Sequence, residues 1–176
     1  MNLFLSWGLR TFLIVIFLTA AVSKVRNRRA FREFVFTVRR LGSWFPAQQT
    51  AIMVVASEFA VVVMLAYEIS APWGMLFASV LLTIFLVVIL TALATGKGGS
   101  CRCFGSSAGE LGWPQVVRNL LLILAGIAGF FVQSNATDTD PAAIAASVLA
   151  GLGAGGLVVF QENLRVFVNN NEKRSP

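Results

Sequence analysis

Five stretches of this chain are each about twenty residues long and nearly free of charge, and that pattern limits what it can fold into. A helix needs about 20 mostly apolar residues to cross the hydrocarbon core of a bilayer. Inside that core every backbone N–H and C=O has to be bonded within the protein, so such runs are expected as helices. They fall at roughly 3–23, 48–69, 73–95, 115–133 and 141–161. Only 12% of the 176 residues are charged, whereas soluble domains carry about 25%. The expectation is an all-α integral membrane protein whose length allows one compact bundle.

The charges that remain are unevenly placed. Seven of the fourteen Lys/Arg residues lie between Lys24 and Arg40, directly after the first apolar run, with Glu33 the one acid among them. A basic cluster after the run, and not before it, reads as a retained span and not as a cleaved signal, although TAAVS at 19–23 offers small residues. The link SNATDTD at 134–140 has two acids and no base, and the tail carries Arg165, Lys173 and Arg174. Under the positive-inside rule, five crossings with the N-terminus outside put the basic clusters and the C-terminus on the cytoplasmic side of a plasma membrane. Aromatic and basic residues do not interleave on a soluble face, so the net charge of +6 does not point to nucleic acid. Within the basic stretch, AFREFVFTVRRL spaces Phe31, Phe34, Val35, Val38 and Leu41 as one helical face, with arginines largely on the other. This predicts a short amphipathic helix in the membrane interface, anchoring the bundle and covering one end of it.

Both cysteines stand in GGSCRCFGS at 98–106, and the chain has no histidine. Without histidine, Ser-His-Asp and Cys-His mechanisms within the chain are excluded. A disulfide between Cys101 and Cys103 would close a very small ring, a strained arrangement that is easily reduced and suits exchange better than stapling. Gly98, Gly99 and Gly105 supply backbone freedom, while Arg102 and Lys97 favour the reactive thiolate. Two other readings fit the same residues. The thiols can simply stay reduced, or the pair can hold Cu(I), which prefers thiolate ligands. Zinc would need further ligands that the chain lacks.

CRCFG followed by LGWPQVVRNLLLILAG resembles the cysteine motif of the MauE family of membrane proteins, which is related to the DoxX group. The motif positions are Cys101, Cys103, Phe104 and Gly105, then Trp113, Val116, Arg118 and Asn119. Lys24, Phe31, Pro46 and Glu58 match family features upstream, and the likeness runs over about residues 5–130. The resemblance implies a four-helix membrane domain at 1–134, with 135–176 adding a fifth transmembrane helix and a polar tail. It further implies thiol–disulfide chemistry with a thioredoxin-like partner, as in maturation of the disulfide-rich subunit of methylamine dehydrogenase. Loose similarity to quinone-linked four-helix disulfide enzymes makes a quinone a second candidate electron carrier.

Two further features invite a functional reading. Glu58 sits mid-span, where an ionisable group needs a partner, and Arg10 and Arg118 are its expected counter-charges. The pair can fix helix register or relay protons to the thiols or to a quinone. Arg118 can also stabilise a thiolate or snorkel to the interface. GLGAGG at 151–156 matches a dinucleotide fingerprint through Gly151, Gly153 and Gly156, but no strand precedes it. Close helix contact is the expected use of these small residues, with the fifth helix a docking surface for another subunit. The site expected from the sequence is therefore Cys101 and Cys103 with Arg118 and Glu58, supported by Lys24, Arg102, Phe104, Gly105, Trp113 and Asn119. The expected function is membrane thiol–disulfide exchange; a non-enzymatic assembly subunit, or Cu(I) handling, is the alternative.

Overall fold

The computed structural model of the chain describes residues 2–41, 46–95, 113–133 and 141–172. Among the described residues there are six helices and no strand: α1 Asn2–Val25, α2 Arg28–Arg40, α3 Ala47–Ala66, α4 Ala71–Ala94, α5 Trp113–Gln133 and α6 Pro141–Glu172. All except α2 are long and apolar enough to cross a membrane, so the chain is a multi-pass membrane protein. α1 packs on α3, α3 on α4, α4 on α5, and α5 returns to α1, which closes a four-helix ring. Its centre is filled by Leu13 and Phe17 of α1, Val61 and Leu65 of α3, Met75 and Leu82 of α4, and Leu122 of α5.

Side chains end α3 where it would otherwise leave bare carbonyls in an apolar setting, which helix ends cannot afford there. The hydroxyl of Ser70 donates to the Met64 carbonyl at 2.8 Å. Arg10, on α1, donates from Nε to the Leu65 carbonyl and from Nη2 to the Ala66 carbonyl at 2.7 Å. The second span thus stops at Ala66, three residues short of the expected end. Pro72 then falls in the first turn of α4, where its missing N–H costs no helix bond.

α2 is an amphipathic helix, as its spacing predicts. Asn27 caps it by accepting the Ala30 N–H at 2.7 Å. Its apolar face is used on the protein itself, since Phe34 and Val38 are buried against Ala51 and Val55 of α3. Leu41, at its far end, packs among Ile89, Ala92 and Val116 of α4 and α5. The helix therefore lies across one end of the bundle.

α6 is not left free on one side. It packs along α1, and the seam is built from Ser147, Gly151 and Gly155, every fourth residue. A Cβ on Gly151 would stand 2.5 Å from the Gly8 carbonyl oxygen, and one on Gly155 would stand 2.8 Å from Val15. A Cβ on Gly153 or Gly156 would meet nothing within 4 Å among the described residues. The fingerprint spacing is therefore only partly a packing motif, and the contact belongs to Gly151 with Gly155. Gly151→Leu is expected to destabilise the fold by about 1–3 kcal/mol, because the obstructing atoms are largely backbone. Gly153→Ala and Gly156→Ala should leave stability equal or slightly higher. Thermal unfolding of the three variants in detergent checks this opposite pair of signs.

Candidate functional site

Glu58 and Lys24 form a buried ion pair where α1 faces α3, with Lys24 Nζ 2.6 Å from Glu58 Oε1 and side-chain exposures of 2% and 0%. The partner of Glu58 is thus neither Arg10 nor Arg118. Arg10 is committed to the end of α3, stacked 4.4 Å from the Trp7 ring centroid, and Arg118 is half-buried on α5. The reason lies in where α1 ends. The helix continues to Val25, which puts Lys24 in its last turn and on the inward face, one turn after buried Ala20 and Ala21. Lys24 also donates to the Ala20 carbonyl at 3.3 Å, and its ammonium lies 5.3 Å from the Phe34 ring centroid. An aromatic face at that distance attracts a cation, so α2 both covers the pair and contributes to it.

The second carboxylate oxygen, Glu58 Oε2, is buried and has no hydrogen-bond partner among the described residues. Asn119 of α5 is likewise fully buried, and neither its Oδ1 nor its Nδ2 has a partner among them. Buried polar atoms are rarely left unsatisfied, and in a membrane span they mark functional positions. Chemically, the pair offers a fixed positive charge on one carboxylate oxygen and an open acceptor on the other. Trp113, at the start of α5, is exposed.

The remaining expected site residues, Cys101, Arg102, Cys103, Phe104 and Gly105, lie outside the described residues. Their segment is flanked by Thr95, which caps the end of α4, and Trp113, which begins α5. Both flanks belong to the end of the bundle crossed by α2, because Leu41 packs beside Ala92 and Val116.

Arg10 was expected as a counter-charge to Glu58 and stands elsewhere, in a structural role that is separately testable. Arg10→Leu removes the donors to the buried Leu65 carbonyl and the part-buried Ala66 carbonyl, and an unsatisfied buried group costs about 1–3 kcal/mol. Arg10→Lys should recover part of that loss, as read from unfolding midpoints in detergent.

Comparison with known proteins places most of this bundle within one family. The family described as methylamine utilisation protein MauE matches residues 2–132, from α1 to the last turn of α5. A methylamine utilization protein MauE of Paracoccus denitrificans is 29% identical over 165 residues, covering 93% of this chain and 83% of its own length. Another, from Methylorubrum extorquens, is 29% identical over 153 residues, covering 86% and 80%. No solved structure matches. A bundle of membrane-length helices, matched along four of them by one family, makes this chain a member of the MauE family.

Proposed function

We propose that the chain is a membrane thiol–disulfide redox protein working through Cys101 and Cys103, with the Lys24–Glu58 pair as its buried proton-handling group. The buried pair carries this reading, at the bundle end to which the cysteine segment is tied. Cys101 follows Thr95 by six residues (101 − 95), so an extended tether reaches about 20 Å at most. Reduced thiols beside a helical membrane domain call for somewhere to send protons, and Glu58 Oε2 is an acceptor not in use among the described residues.

The exchange balances without any further group. One cysteine thiolate attacks a sulfur of the substrate disulfide, a mixed disulfide forms, and the displaced thiolate takes a proton. The second cysteine thiolate then attacks the mixed disulfide, the Cys101–Cys103 bond closes, and the substrate leaves as a dithiol. Two electrons have passed to the substrate, and the two protons come from the cysteines. The reverse sequence oxidises the substrate. A thioredoxin-like protein fits as the exchanging partner, a quinone as the alternative electron carrier, and the names of the relatives suggest a setting in methylamine utilisation.

By the charge distribution, the cysteine segment faces the cytoplasmic side of the plasma membrane. Labelling of intact cells with a membrane-impermeant thiol reagent, before and after mild reduction, tests sidedness and redox state together. The expected result is no labelling from outside until the membrane is opened. Labelling of Cys101 and Cys103 in intact cells overturns the orientation. In opened cells, labelling that reduction never increases overturns the redox reading.

A further inference from the structure

We propose that the groove between the end of α1 and the first turns of α2 holds the headgroup of an anionic phospholipid. Val25, Asn27, Arg28, Phe31 and Arg32 line this open groove. Arg28 and Arg32 are four residues apart and share one face of α2, so two guanidinium forks stand together. Phe31 and Val25 add apolar surface beside them.

Among the described residues the charge here is uncompensated. Of the seven bases between residues 24 and 40, Lys24 is engaged by Glu58, and Arg29 by Glu33 at 3.1 Å. Arg26, Arg28, Arg32, Arg39 and Arg40 are exposed and have no ion pair among the described residues. α2 cannot roll to spread these charges, because Phe34 and Val38 are fixed against α3. Guanidinium groups bind phosphate oxygens with two parallel hydrogen bonds, and basic residues beside a membrane helix attract anionic lipids.

An amphiphile fits this place better than a free anion does. Leu18, Val22 and Val25 are exposed on one face of α1, 41%, 45% and 44%, and form an apolar track that runs up to the groove. An acyl chain can lie along that track while its phosphodiester meets Arg28 and Arg32. A zwitterionic headgroup would bring an ammonium towards the same guanidiniums, so the site favours a lipid with net negative charge.

The test uses the full chain in detergent micelles with equimolar phosphatidylglycerol and phosphatidylcholine, and counts retained lipid by native mass spectrometry. One phosphatidylglycerol per chain is expected. Arg28→Gln with Arg32→Gln should lower its retention by about tenfold or more, while Arg39→Gln with Arg40→Gln, an equal change in charge, should lower it less than about threefold. Equal loss in both double variants, or in neither, overturns the site. So does equal retention of phosphatidylcholine, or displacement of the lipid by inorganic phosphate, which would make the groove a simple anion site. Both arginines are exposed, so the variant is expected to melt as the parent does; if it does not, Arg32→Gln alone carries the same comparison.

Discussion

A chain with Cys101→Ser or Cys103→Ser is expected to lose thiol–disulfide exchange by about a hundredfold or more while unfolding like the parent. The loss is large because each sulfur has its own step, attack on the substrate or resolution of the mixed disulfide. A serine hydroxyl, far less acidic than a thiol, performs neither. The fold is expected to survive because the ring, α2 and the α1–α6 seam are built without the cysteines. The two variants should also differ from each other. The one that keeps the attacking thiol should accumulate a mixed disulfide with its partner, visible as a reducible adduct on a gel, and the other should not. Exchange measured with a generic dithiol reductant checks the first result. Full turnover in both single variants would remove the cysteines from the mechanism.

The second large effect is on the buried pair. Lys24→Met leaves the Glu58 carboxylate without its cation in a site with 0% exposure, and breaking a buried pair from one side costs about 3–5 kcal/mol. Glu58→Leu takes the carboxylate from the Lys24 ammonium, which keeps only the Ala20 carbonyl and the Phe34 face among its described contacts. The double variant Lys24→Met with Glu58→Leu should be clearly more stable than either single one, since apolar replacement of a whole buried pair is often near neutral. A double-mutant cycle on unfolding free energies measures that coupling. The same three chains separate structure from chemistry. If the pair handles protons, exchange stays slow in the double variant although stability returns. If it only fixes helix register, exchange returns with stability.

The spans were legible because bilayer thickness sets a length that a reader can count, and all five runs became helices. The ring order and the use of α2's apolar face on α3 were not, since hydrophobic spacing says that a face is buried without saying against what. Glu58 announced itself as a mid-span charge, but its partner was disguised. Lys24 is the first of seven bases in a cluster read as a cytoplasmic loop, and only the family resemblance singled it out. Only the continuation of α1 to Val25 turns it inward, and helix ends are the least certain boundary in any sequence. Arg10 misled for the opposite reason. It looked like a charge in search of a carboxylate, whereas the need it meets is that of two backbone carbonyls. In GLGAGG the glycines themselves were conspicuous, but which of them touch α1 depends on a rotation about the helix axis that composition does not encode.

The most direct test of the central claim is a redox titration of the full-length chain in lipid discs. The protein is equilibrated with reduced and oxidised glutathione over a range of ratios, then quenched with a thiol-reactive mass tag. A redox pair gives one two-electron transition, in which two tags on Cys101 and Cys103 give way to none together. Two tags at every ratio would contradict it, and would leave the chain as a membrane subunit whose cysteines take no part in electron transfer.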